Sequence, residues 1–236
     1  MSQEKVWDQE YRESTFLTKD NVPQKDVVRF MQFLKKARKL SINEENGGDI
    51  CVLDLGSGTG RNSFYLSELG AVVTGIEISQ TAIALAKQNG QNAGLSIQYI
   101  HHSMGDVFPF QENRFDIVLD ITSSNSLTLS ERGTYLSETH RVMKDGAYFF
   151  VKALCKDGDE NAKKLLKEVP GSERDTYIMP HTGIVERVWS KEDFVSTYEK
   201  YFTILQLERK TTYTRMNNRV YKRNFWLCYM QKRPQA

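Results

Sequence analysis

The chain of 236 residues has only three cysteines, Cys51, Cys155 and Cys228. They are widely separated, odd in number and without a Cys-x-x-Cys spacing or a nearby histidine. That argues against a disulfide framework and a zinc site and leaves reduced core or strand residues. No stretch approaches the roughly 18 apolar residues needed to span a bilayer. The opening MSQEKVWDQEYRES is charged and lacks the apolar core of a secretory signal, so a cytoplasmic setting is expected. An excess of either charge is missing too. With 32 basic and 30 acidic residues the formal net charge is +2, and no global field draws the chain to nucleic acid or anionic membrane. Internal repeats and low-complexity tracts are absent. What remains is a globular balance, 26% charged and 39% hydrophobic, in a length that suits one α/β domain with an added segment.

Hydrophobic spacing supplies the organisation. Val27, Phe30, Met31, Leu34 and Ala37 recur at helical spacing after Pro23, and Asn46-Gly47-Gly48 stops that segment. Ile50 to Leu55 is a short apolar run ending in glycines, followed by a helix from Arg61 to Leu69 closed by Gly70. Ala71 to Ile78 is a buried-strand candidate. Ser79 then caps a helix through Ala82, Ile83, Leu85 and Ala86 that Asn89-Gly90 or Gly94 ends. Ser96 to Ile100, Phe115 to Ile121 and Ala147 to Leu154 are further strands. A helix from Glu131 to Met143 precedes the last, with Asp145-Gly146 as its exit turn. Such alternation predicts a doubly wound, mostly parallel sheet, because parallel strands need helical crossovers.

The end of the chain breaks the rhythm. Gly158 to Val169 reads as a helix, Pro170 to Val188 as an irregular segment and Ser190 to Tyr201 as a capped helix. Phe202 to Leu207 and Phe225 to Gln231 read as strands with no helix between them, so they must pair as an antiparallel hairpin at the C-terminus.

Val52-Leu53-Asp54-Leu55-Gly56-Ser57-Gly58-Thr59-Gly60 sets three glycines at alternate positions on a strand-to-helix turn, where a backbone must approach a ligand closely. Arg61 stands one position beyond Gly60, where the G-x-G-x-x-G dinucleotide pattern departs from this spacing. Asp54 with Gly56, Gly58 and Gly60 resembles the first motif of class I S-adenosylmethionine-dependent methyltransferases, and the likeness runs along residues 50–154. It implies that the turn, Ser57 included, passes under the methionine and ribose of S-adenosylmethionine. Asp54 would order the turn or meet the cofactor's amino group, and an anion there suits a cationic ligand.

Glu77 ends the second strand, where doubly wound folds hold a carboxylate against ribose hydroxyls, and Ile78 would flank adenine. After the third strand the resemblance places an acidic and an apolar residue at the adenine. Here either Ser103-Met104, nearer the strand end, or Asp106-Val107 could serve. Trp7-Asp8 and Tyr11 resemble the opening of many small-molecule methyltransferases, whose first helix covers the cofactor. An aromatic face there could attract a sulfonium by roughly 0.5–2 kcal/mol, or the pair could simply pin the helix to the core. The resemblance divides the chain into a lid and helical segment, 1–45, and a methyltransferase domain, 46–236, with 155–189 inserted on the acceptor side.

Methyl transfer needs a nucleophile in line behind the methyl carbon, and a base only if that nucleophile carries a proton. Asp120, with Ile121 beside the methyl group, is the expected reactive-site residue at the carboxyl edge of the sheet. His181, in the irregular segment, is the catalytic candidate among the histidines, or else a solvated surface group. The absence of Asn-Pro-Pro-Tyr, Asp-Pro-Pro-Tyr and Pro-Cys after the fourth strand disfavours base-methylating subclasses. Arg209, Lys210, Arg215, Arg219, Lys222 and Arg223, interleaved with Tyr213 and Tyr221, could contact phosphates or could keep a solvated hairpin from edge pairing. The expectation is a methyltransferase acting on oxygen or nitrogen of a small molecule, releasing S-adenosylhomocysteine and using no metal. An RNA or other nucleic-acid methyltransferase using the basic hairpin, and a non-catalytic cofactor-binding subunit, are the alternatives.

Overall fold

The computed structural model describes residues 3–13, 21–38, 40, 42, 49–180, 182–216 and 219–233. Seven strands form one sheet: β1 (Cys51–Leu55), β2 (Val72–Glu77), β3 (Gln98–His101), β4 (Phe115–Ile121), β5 (Met143–Leu154), β8 (Phe202–Met216) and β9 (Arg219–Lys232). Their order across the sheet is β3-β2-β1-β4-β5-β9-β8. The first five are parallel, and β9 pairs antiparallel with both β5 and β8. The doubly wound sheet and its C-terminal hairpin are those expected.

Alternation along the strands explains the two cores. On one face Leu53, Leu55, Val118, Phe149 and Val151 meet α5 (Leu129–Val142) and α7 (Lys191–Tyr198) through Tyr135, Leu136, Phe194 and Tyr198. On the other, Val52, Ile117, Leu119 and Phe150 meet α2 (Lys25–Ala37) through Val27, Phe30, Met31 and Leu34. Each fully buried large side chain contributes roughly 1.5–3 kcal/mol of transfer free energy. Helix α3 (Arg61–Glu68) and α4 (Gln80–Asn92) add a smaller cluster of Phe64, Ile83, Ala86 and Tyr99.

Helix α4 runs through Asn89-Gly90 and ends before Gly94, the second of the two expected stops, which takes φ 70°. Other boundaries differ from expectation. Asp145-Gly146 is no exit turn, because β5 begins at Met143 and the register against β4 shifts there, with Gly146 at φ 74°. The segment 170–188 holds a two-stranded hairpin, β6 (Thr176–Ile178) with β7 (Val185–Arg187), after α6 (Glu160–Glu168). The C-terminal hairpin is far longer than its apolar runs, pairing from Phe202 opposite Lys232 to Met216 opposite Arg219. Its tip outreaches β5, whose last partner is Phe225. The stop expected at Asn46-Gly47-Gly48 lies outside the described residues.

Candidate active site

Neighbouring β1 and β4 connect to opposite sides of the sheet, and a crevice opens beyond their carboxyl ends, as doubly wound sheets require at such a reversal. The glycine turn lines it. Gly56, Gly58 and Gly60 take φ of 63°, 55° and 88°, the left-handed region that favours glycine. A Cβ on Gly58 would also stand 2.7 Å from the Tyr11 hydroxyl. The Ser57 amide donates to the Ile76 carbonyl at 3.1 Å, and the Ser123 hydroxyl to the Gly56 carbonyl at 3.2 Å, so the turn is tied to β2 and to the loop after β4.

Glu77 is the keystone between the turn and α4. Its Oε2 accepts from the Gly58 amide at 2.9 Å and its Oε1 from the Ser79 amide at 2.8 Å. Each oxygen keeps a lone pair for another donor. Burial raises the carboxyl above its usual range, and the hydrogen bonds from Ser79 and Gly58 oppose that rise. Asp54 is 2% exposed. Burial pushes its carboxyl up to about 6, with Glu77 adding repulsion and the Ser63 hydroxyl, 2.6 Å from Oδ2, working the other way.

Helix α1 (Gln3–Glu13) covers the crevice. Asp8 fastens it, its Oδ1 accepting from the Ser79 hydroxyl and the Thr81 amide, each at 2.9 Å, at the start of α4. Those bonds and Arg12, 2.6 Å away, hold the Asp8 carboxyl below its usual range. Trp7 and Tyr11 face inward with ring centroids 6.4 Å apart.

The cavity beneath measures about 570 Å³. Among the residues expected to bind cofactor, Trp7, Tyr11, Asp54, Gly56, Ser57, Gly58, Glu77, Ile78, Ser103, Met104 and Ile121 line it. Gly60 does not; it turns the chain into α3 as its N-cap. Asp106 and Val107 are exposed and outside the lining, leaving Ser103 and Met104 on the wall. Asp120, expected at the reacting centre, is fully buried and turned away from the cavity. Its Oδ1 accepts from the Ser123 and Ser124 amides at 3.0 and 3.1 Å, and its Oδ2 from the Tyr135 hydroxyl at 2.6 Å. This carboxylate holds the loop after β4, where Thr122 sits at φ 68°, a strained conformation for a β-branched residue. His181 lies outside the described residues.

Arg61 and His102 line the cavity too, and so do Gln24 and Asn62, which carry no signal of a site in the sequence. Thr122, Ser123 and Ser126 line it as well, in the loop that Asp120 orders. No described residue of 155–189 lines the cavity. That segment acts from behind, where Glu173 pairs with Arg132 at 2.7 Å and Arg132 donates to the Leu127 carbonyl on the cavity wall. Much of the basic hairpin is engaged internally. Lys210 pairs with Asp26, Arg209 donates to the Asp157 carbonyl at 3.1 Å, and Arg223 donates to the Tyr177 hydroxyl at 2.6 Å. The side chains of Arg215, Arg219 and Tyr221 are outside the described set. Among the described residues no His, Cys, Asp and Glu cluster could hold a metal, and no helix is long and apolar enough to cross a membrane.

Residues 53–151 match the methyltransferase domain family. A stretch of 98 residues, 42% of this chain, is 34% identical to 44% of an uncharacterized methyltransferase of Synechocystis sp.. Over 176 residues, 75% of this chain and 64% of the relative, identity to the ubiquinone biosynthesis O-methyltransferase of Rhodopseudomonas palustris is 29%. The chain thus spans less than two thirds of the length of these curated relatives. The fold is shared with Burkholderia thailandensis 1,6-didemethyltoxoflavin-N1-methyltransferase, solved with 1,6-didemethyltoxoflavin and S-adenosylhomocysteine bound. The TM-score is 0.68 at 16% identity, covering 98% of this chain and 87% of that one.

Proposed function

We propose, for a chain that carries a methyltransferase domain across residues 53–151 and has the class I S-adenosylmethionine-dependent methyltransferase fold, that it transfers a methyl group from S-adenosylmethionine to oxygen or nitrogen of a small molecule. The observation that carries this reading is Glu77, a buried carboxylate already bonded to the glycine turn and still facing the cavity with acceptor capacity for two vicinal hydroxyls. Ile78, Ser103 and Met104 offer a wall for adenine. Asp54 offers negative charge near the amino group, and Trp7 and Tyr11 cover the crevice. When bound, the cofactor supplies an electrophilic methyl group on a sulfonium.

The chain's own residues supply positioning. Thr122, Ser123 and Ser126 are held at the cavity wall by the Asp120 carboxylate, so the reacting face is fixed before ligand arrives. Asp120 therefore serves as a positioning residue. A base at His181 remains part of the proposal for an acceptor that carries a proton. The lid at 1–45 and the acceptor-side role of 155–189 are proposed on the same footing, the latter through Glu173, Arg132 and Leu127. A small-molecule acceptor is favoured over RNA because Arg209, Lys210 and Arg223 are committed to internal partners. A cytoplasmic setting is supported by three free thiols.

The test is mass-spectrometric detection of S-adenosylhomocysteine formed from S-adenosylmethionine across an acceptor panel of phenols, amines and carboxylates. Acceptor-dependent product that vanishes in Gly58→Arg is expected. No product with any acceptor, despite tight cofactor binding, would favour a non-catalytic binding subunit.

A further inference from the structure

One end of the cavity holds two side-chain amides turned to donate. Gln24 Oε1 accepts from Lys152 Nζ at 3.0 Å, and an ammonium can only donate, so the amide must turn its Nε2 the other way. Asn62 Oδ1 accepts from the Gln24 backbone amide at 3.0 Å, which fixes the Asn62 amide by the same logic. Both residues line the cavity, and neither Gln24 Nε2 nor Asn62 Nδ2 has a partner among the described residues. Asn62 is 7% exposed. Arg61 lines the same end, with no ion pair among the described residues. Helices α2 and α3 both start here, at Gln24 and Gly60, without a side-chain cap, so their N-terminal amides add positive potential.

The charge behind this end has the same sign. Lys152, on β5, is 8% exposed, stands 2.9 Å from Asp26 and 4.9 Å above the Phe225 ring, and shares Asp26 with Lys210. Lys152 and Lys210 thus share a single carboxylate, Asp26, while the charge of Arg61 reaches both Lys152 and Asp54. Burial lowers the Lys152 ammonium from its usual range, the Asp26 hydrogen bond opposes that, and the charges of Lys210 and Arg61 lower it further. A cationic end that offers amide donors is complementary to an anion that only accepts, while Asp54 on the same cavity favours a cation.

We propose that Gln24, Asn62 and Arg61 form the subsite for the carboxylate of the cofactor's amino-acid portion, and that Lys152 is a positioning residue that fixes Gln24 as a donor. The proposal rests on the cofactor reading above and adds its polarity: ammonium toward Asp54, carboxylate toward Gln24. A carboxylate on the acceptor would suit the same chemistry, and the choice of ligands below separates the two.

The test compares S-adenosylhomocysteine with its decarboxylated analogue, which keeps the ammonium, by titration calorimetry on the full chain. The wild type should prefer the carboxylated ligand by about tenfold or more, the effect of one charge-assisted hydrogen bond. Gln24→Glu, near-isosteric and still able to accept from Lys152, should abolish or invert that preference. Lys152→Met should narrow it while leaving affinity for the analogue within about threefold; a purely structural role for Lys152 would weaken both ligands together. Equal wild-type affinity for the two ligands overturns the subsite and leaves the cofactor reading standing, with the anion then belonging to the acceptor. A preference unchanged in Gln24→Glu also overturns it. Failure of the wild type to bind either ligand removes the cofactor reading itself.

Discussion

Replacing Asp54 by asparagine should make the protein more stable and bind its ligand worse. Asp54 is buried with its carboxyl raised from 3.8 to about 6, burial being the leading cause and Glu77 repulsion a further one. A shift of about two units corresponds to about 3 kcal/mol at 1.36 kcal/mol per unit, to order of magnitude. The sign follows from linkage. The native state holds the proton more tightly than the unfolded chain, so this group leaves stability intact well below pH 4 and erodes it progressively as pH rises from about 4 to about 6. Above that window the full cost applies; near pH 5 it is about half. The amide of the Asp54→Asn variant keeps an oxygen for the Ser63 hydroxyl and carries no charge. In thermal melts this variant should gain over wild type near pH 8 by several degrees more than near pH 5, since about 1 kcal/mol moves a chain of this size by roughly 2–4 °C. Affinity for S-adenosylhomocysteine should fall about tenfold or more, because an ammonium loses its counter-charge. A variant whose stability change is the same at both pH values would refute the burial argument, and unchanged affinity would refute the placement of the ammonium.

Three further outcomes follow from the same geometry. Glu77→Gln puts an amide NH₂ against the Gly58 or Ser79 amide, so melting should reveal a loss of about 1–3 kcal/mol, and calorimetry a drop in S-adenosylhomocysteine affinity of at least about tenfold. Asp8→Ala releases α1 from Ser79 and Thr81, and stopped-flow measurement should show faster ligand dissociation with a smaller change in the association rate; an unchanged dissociation rate would contradict a lid held by Asp8. Tyr135→Phe strips Asp120 Oδ2 of its donor, which should cost about 1–3 kcal/mol in denaturant unfolding and raise the Asp120 carboxyl further, although the substitution lies outside the cavity lining.

The sheet was legible because its signals are local. Val52 to Gly60 carries apolar alternation and glycine spacing in one run, and Ser79 announces α4 by its cap, which accepts from the Ala82 amide at 3.1 Å. Glu77 and Ser103-Met104 were readable from their places at strand ends. What escaped was set by long-range partners. Position alone brought Asp120 to the reacting edge, yet Tyr135 from α5 occupies its carboxylate. Gln24 is unremarkable in sequence and acquires meaning only from Lys152 and Asn62, which the fold brings to it. The three-residue strands Thr176–Ile178 and Val185–Arg187 are too short for a periodic signal. Strands β8 and β9 continue through the polar run from Glu208 to Asn224 because pairing with each other, rather than burial, extends them.

On the proposed function, the cavity between the glycine turn and α1 receives S-adenosylmethionine. Titration of S-adenosylhomocysteine into the wild-type chain decides this. One-to-one binding at micromolar concentration, lost in Gly58→Arg, is the predicted result. Absence of heat at high micromolar ligand, or binding that survives Gly58→Arg unchanged, would contradict it.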